Sequence, residues 1–130
     1  MPDRIYLDHA ATTPLRPEAL EAMLPFMQAD AFGNPSSLHA DGQRAKHALD
    51  SARGIIADSL GVEFAEVTFT SGGTEANNAA LTGVMLANRN RGNHLVTTQI
   101  EHESVLRTCR FLETLGIDVT YVAPDQYGCI

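Results

Sequence analysis

The chain has 130 residues and sets 9 basic against 16 acidic side chains, for a formal net charge of -7. Its 44% apolar and 19% charged content exclude a disordered polypeptide, and no run approaches the roughly 18 consecutive apolar residues that a membrane span needs. The acidic balance, with arginines scattered and no basic stripe, argues against a nucleic-acid partner.

At the start, Asp3 and Arg4 follow Met1 with no apolar segment behind them, so no secretory signal is read and a cytoplasmic setting is expected. Ile5-Tyr6-Leu7 is a short extended piece that leads into the small, polar run Asp8-His9-Ala10-Ala11-Thr12-Thr13-Pro14, an arm or loop without periodicity. A helix is predicted to begin near Pro17, a residue suited to a first turn, and to offer Leu20, Met23, Leu24 and Met27 to a core. Pro25 predicts a kink or an early end. Phe32-Gly33-Asn34-Pro35-Ser36-Ser37 is a dense turn cluster. Beyond it Ala45, Ala48, Leu49, Ala52, Ile55, Ile56, Ser59 and Leu60 recur at helical spacing. They predict a long amphipathic helix from about Ala40 to Leu60, stopped by Gly61.

From there the period alternates. Strands are expected at Glu66–Thr70, His94–Thr98 and Asp118–Val122. Helices are expected at Thr74–Asn90, with a stripe of small residues (Ala76, Ala80, Gly83, Ala87), and at Glu103–Leu115, ended by Gly116. This order implies an α/β architecture with a parallel βαβαβ core.

Two strand-to-helix junctions can carry chemistry. Thr70-Ser71-Gly72-Gly73-Thr74-Glu75-Ala76 places two glycines where a helix opens. The first amides and the dipole of such a helix favour an anion, and the hydroxyls of Ser71 and Thr74 can add donors. A phosphate cradle and a plain turn capped by hydroxyls both fit the motif alone. It is neither the P-loop pattern nor the dinucleotide fingerprint, which leaves a single phosphate, as on a sugar phosphate or pyridoxal phosphate. Thr98-Gln99-Ile100-Glu101-His102-Glu103-Ser104 forms the next junction. The carboxyl ends of parallel strands face the ligand crevice. His102 there is either an imidazole that stacks on a cofactor ring or moves protons, or a polar residue facing solvent.

The arm and the Asn34 turn are, singly, ordinary loops. Glu101-His102-Glu103 diverge on a turn and no HExxH is present, so no metal is expected. Cys109 and Cys129, 20 residues apart, are neither a disulfide framework nor a metal pair. Cys109 lines up with Val105 and Leu112 and reads as a buried thiol. His39 precedes a helix, His47 lies on its solvent face and His94 starts a strand. Lys46 is the sole lysine.

Taken in order, Tyr6–Pro14, Phe32–Ser37, Phe69–Asn77 and Glu101–Val105 resemble the amino-terminal third of a cysteine desulfurase of the iron–sulfur-cluster type. Such proteins are fold-type I, class V aminotransferase-like enzymes that use pyridoxal phosphate. The resemblance implies a fold made of the first part of the fold-type I large domain, preceded by an N-terminal arm and helices. Residues 1–16 would be the arm, 17–61 a helical segment at the junction of small and large domains, and 62–130 the first half of the cofactor-binding large domain.

It further implies that Gly73 and Thr74 hold the cofactor phosphate, that His102 stacks on the ring and takes part in proton transfer, and that Asp8, Ala10, Thr12 and Asn34 line the substrate approach. The family reaction converts L-cysteine to L-alanine. A lysine carries the cofactor as a Schiff base, and a cysteine thiolate takes up sulfur as a persulfide for a sulfur-acceptor or scaffold protein. Lys46 sits in the wrong context for the first role, and neither Cys109 nor Cys129 matches the second. Those two groups are therefore expected outside these residues, and the chain alone is expected to be inactive. A homodimer is implied as well. Two other readings remain: a related class V enzyme such as a selenocysteine lyase, and a non-catalytic fragment that needs a complementing chain.

Overall fold

The computed structural model describes residues 5–29 and 31–130. Residues 1–4 of the predicted arm lie outside them. The chain divides into two compact units, one running to Thr68 and the other from Phe69 to Ile130.

In the first unit, helix α1 spans Pro17–Met23, with proline in its first turn. It gives way to a 3-10 turn at Leu24–Met27. Pro25 has no N–H to continue an α-helical ladder, so the early end follows its chemistry. Helix α2 spans Ala40–Leu60 with the predicted bounds. The His39 side chain caps its start by accepting from Gly42 N, and Gly61 ends it with a left-handed φ of 66° that glycine adopts without steric penalty. Gly42 and Ala57 are its buried residues, while Ile55 and Leu60 are each 67% exposed. The predicted apolar stripe is thus real in sequence and largely uncovered within this unit. Near the end of the helix, Arg53 pairs with Asp50, donates to Val67 O at 3.2 Å and lies 5.1 Å from the Phe64 ring centre.

One expectation needs correction. Glu66–Thr70 is not a strand: Phe64–Glu66 forms a 3-10 turn, and residues 67–70 carry no strand assignment. Val67 is extended, with φ -94° and ψ 119°. A strand, however, needs a neighbouring ladder, and none pairs with these residues among those described. The parallel core of the described residues is one βαβ unit rather than βαβαβ.

In the second unit, helix α3 spans Gly73–Ala87, strand β1 His94–Thr98, helix α4 Glu103–Thr114 and strand β2 Asp118–Val122. The strands pair in parallel, from His94 opposite Asp118 to Thr98 opposite Val122. Both strands have the predicted bounds. Helix α3 stops three residues short of Asn90. Asn88 turns its amide onto Val84 O, and its carbonyl accepts from Arg91 and Gly92 in a closing turn. After α4, Gly116 takes a φ of 83° and sends the chain into β2. The core lies between the two helices and the sheet. Met85, Leu112 and Ile117 form its centre, packed by Leu81, Leu95, Leu115 and Val119. The small-residue stripe of α3 (Ala76, Ala80, Gly83, Ala87) is exposed, because Leu81 and Met85 supply the side that packs.

Candidate functional site

The junction before α3 folds around Glu75. Its carboxylate accepts from Ser71 N at 2.7 Å and from Ser71 Oγ at 2.6 Å. The Ser71 hydroxyl, and then the Ser71 amide, hold the Glu75 carboxyl below the usual carboxylate range. The hydroxyl of Ser71 is therefore spent inside the chain and is no donor for a ligand, unlike the expectation from sequence. Thr74 differs: its carbonyl accepts from Asn78 Nδ2 at 2.8 Å, and its hydroxyl takes no partner among the described residues.

The first amide accounted for along the helix is that of Ala76, which donates to Gly72 O at 3.1 Å. The N–H groups of Gly73, Thr74 and Glu75 find no acceptor among the described residues, and no side chain caps Gly72. Three unused amides at the positive end of a 15-residue helix are the donors an oxyanion takes. Gly72 and Gly73 have open space where a Cβ would stand, and neither has a left-handed φ. Neither strain nor packing within the described residues calls for glycine here. Close approach by a ligand remains as a reason for both.

His102 is the N-cap of α4. Its Nδ1 accepts from Ser104 N at 3.1 Å and lies 2.9 Å from Ser104 Oγ. Asn77, one turn into α3, donates from Nδ2 to the same Ser104 Oγ at 2.9 Å. A second bridge runs beside the first. Thr108 Oγ1 lies 2.8 Å from Asn78 Oδ1 and 2.7 Å from Ser104 O, and Asn78 in turn reaches Thr74 O. Ser104 and Thr108 are buried, with 6% and 2% of their surface exposed. The two asparagines thus tie the opening turn of α3, which holds Gly73 and Thr74, to the start of α4, which holds His102.

Sequence reading gave these four residues no role, although Asn77 and Ser104 fall inside its motifs. Adjacent Asn77 and Asn78, facing Ser104 and Thr108 at i and i+4, were the available signal. The buried hydroxyls of Ser104 and Thr108 need hydrogen-bond partners, and asparagines on the neighbouring helix can supply them.

The other predicted site residues belong to the first unit. The Asp8 carbonyl gathers Tyr6 Oη at 2.9 Å, Ala11 N at 3.1 Å and Thr12 N at 3.4 Å. The Tyr6 and His9 rings meet edge to face at 5.0 Å. Tyr6, His9, Thr12, Thr13 and Pro14 line a hollow of about 450 Å³, and Ala10 lies exposed in the loop that frames it. Asn34 closes its own turn: Oδ1 accepts from Ser36 N at 2.9 Å and its carbonyl from Ser37 N at 2.9 Å. That turn packs hard on α2. A Cβ on Gly33 would meet Asp41 O, and one on Gly42 would meet Ser37 O.

Lys46 Nζ is paired with Asp50 at 2.6 Å on exposed helix surface. Cys109 is fully buried, and desolvation, followed by the charge of Glu113, pushes its thiol up. Cys129 is exposed. No group of three or more potential metal ligands occurs among the described residues, and none of their helices is long and apolar enough to cross a membrane.

The class-V aminotransferase family matches residues 5–130. A cysteine desulfurase, IscS, of Methanosarcina thermophila is 51% identical over 126 residues, covering 97% of this chain and 31% of the relative. One from Dictyoglomus turgidum is 48% identical over 130 residues, covering all of this chain and 33% of the relative. Among solved structures, SspA in complex with cysteine superposes with a TM-score of 0.81 at 46% identity, covering 92% of this chain and 34% of that one. A NifS-like protein gives 0.82 at 39% identity, covering 92% and 32%. The chain spans about a third of the length of these relatives. It belongs to the class-V aminotransferase family, and within it corresponds to the amino-terminal part of cysteine desulfurases.

Proposed function

We propose that this chain supplies the phosphate- and ring-contacting part of a pyridoxal-phosphate-dependent cysteine desulfurase. The observation that carries the reading is the Asn77–Ser104 bridge, which joins His102 to the helix whose first amides are unused. In this reading the N–H groups of Gly73 and Thr74 and the Thr74 hydroxyl bind the phosphate. The helix dipole adds to their attraction, and the open space at Gly72 and Gly73 lets the anion approach the backbone. His102 stacks on the ring, and holds or passes a proton at Nε2, the nitrogen that Ser104 leaves available. Pyridoxal phosphate, when bound, supplies the electron sink for reactions at an amino-acid carbon.

Asp8, Ala10, Thr12 and Asn34 are assigned to the substrate approach by the family resemblance. Residues 1–16 then act as the arm, 17–61 as the junction helices and 62–130 as the start of the large domain. The substrate is L-cysteine, in keeping with the ligand of the SspA structure. Sulfur passes to an acceptor or scaffold protein for iron–sulfur cluster assembly, and the working protein is a cytoplasmic homodimer.

Binding of pyridoxal phosphate and of pyridoxal, which lacks the phosphate, tests the reading by calorimetry. The phosphate form should bind more tightly, and Thr74→Val should weaken it about ten- to hundredfold, the size of one hydrogen bond to a charged group. Equal binding of the two compounds, or an unchanged Thr74→Val, would refute the assignment.

A further inference from the structure

We infer that Asn77 and Ser104 are positioning residues that fix the tautomer of His102, holding Nδ1 as an acceptor and leaving Nε2–H as the ring's one donor. The inference rests on the reading of His102 as the ring-contacting imidazole, but its own evidence is local. Ser104 N points its hydrogen at His102 Nδ1 over 3.1 Å, so Nδ1 carries a lone pair in the neutral ring. Ser104 Oγ stands 2.9 Å from the same nitrogen and 2.9 Å from Asn77 Nδ2.

An amide nitrogen can only donate, so Ser104 Oγ accepts from Asn77; and because Nδ1 already accepts from Ser104 N, the hydroxyl is the donor in its contact with that nitrogen. Proton positions follow from this bonding pattern. The chain of donors runs one way, from Asn77 through Ser104 to Nδ1. Ser104 is buried, so water competes poorly for its hydroxyl. Asn77 is anchored in α3, which makes the bridge a link between the phosphate-facing helix and the imidazole. Among the described residues no group bonds Nε2, and His102 is exposed, so that edge is open to a ligand.

The neutral-form tautomer ratio can be read directly from long-range proton–nitrogen NMR correlations of the labelled full chain, at a pH well above the ordinary imidazole range. His47, exposed on α2, serves as the internal reference. Wild-type His102 should show a share of the Nδ1–H form clearly below that of His47. Ser104→Ala should raise its Nδ1–H to Nε2–H ratio about fivefold, the effect of one neutral hydrogen bond.

Asn77→Asp, which keeps the shape but turns the donor into an acceptor, should draw the Ser104 hydrogen away and raise the ratio in the same direction. This second variant carries the test if Ser104→Ala unfolds. Ser104→Thr should restore the wild-type ratio. A wild-type ratio equal to that of His47, or folded variants without a shift, would overturn the inference. The readout needs no cofactor. Failure of pyridoxal phosphate to bind would count against the proposed function alone, and an unmoved tautomer against the relay alone.

Discussion

Gly42 and Gly54 lie in the same helix, and the structure predicts opposite outcomes when each becomes alanine. At Gly42 a Cβ would fall against Ser37 O and within 2.7 Å of both Asn34 O and Ser37 Cβ. These atoms belong to the turn that carries Asn34, so either the turn or the first turn of α2 must move. Overpacking of this kind destabilises by about 1–3 kcal/mol. Alanine gains about 1 kcal/mol over glycine inside a helix, leaving a net loss of up to about 2 kcal/mol.

At Gly54 nothing lies within 4 Å of the added carbon, and only the gain of about 0.5–1 kcal/mol applies. Amide hydrogen exchange of the α2 backbone reads both, because protection reports local opening free energy. Gly42→Ala should lower protection by up to about thirtyfold, and Gly54→Ala should raise it about two- to fivefold. Equal gains in the two variants would show that the turn does not press on α2, and with it the account of how Asn34 is held would fall.

Other expectations concern the second unit and the reactive groups. Leu112→Ala, at a side chain with no exposed surface, should cost about 2–5 kcal/mol in urea unfolding. Phe111→Ala, 52% exposed on the same helix, should cost far less. The carboxyl of Glu75, held low by Ser71, stabilises the α3 start above its unfolded range near 4.3 and loses that contribution as pH falls through the folded value. The protection factor of the Ser71 amide, taken relative to the intrinsic exchange rate at each pH, should therefore fall on acidification, and Glu75→Ala should abolish that fall. Iodoacetamide should label Cys129 in the native chain and Cys109 only after unfolding, since burial raises the Cys109 thiol. The 130-residue chain should form no alanine from L-cysteine, because Lys46 is paired with Asp50 and Cys109 is enclosed. Alanine production would contradict that assignment.

Local chemistry explains how much of this was legible. Helix α2 and both strands were readable to the residue because Gly61, Gly116 and the apolar runs punctuate the chain where the backbone must turn. The pairing of the α3 start with His102 was expected from a strand before α3 that the described residues lack, and what joins the two helix starts is instead the Asn77–Ser104 bridge. The strand at Glu66–Thr70 was misread because its Val67-Thr68-Phe69 composition suits a pleated segment, whereas pairing depends on a neighbour that composition does not reveal.

The interhelical asparagines went unread for a related reason. Asn77 and Asn78 look like ordinary helix-surface residues until the facing helix shows Ser104 and Thr108. Gly42 was likewise hidden. A glycine inside a helix weakens it in isolation, and only the tertiary packing of the Asn34 turn explains its presence.

In the proposed function the start of α3 and His102 together receive a phosphorylated pyridine ring. The most direct measurement is a titration of the labelled chain with pyridoxal phosphate, followed through backbone amide and imidazole resonances. Saturable shifts confined to Gly73, Thr74, Glu75 and the His102 ring, lost in Thr74→Val, are the predicted result. Shifts scattered over the surface, or none at these four residues while the chain remains folded, would contradict it.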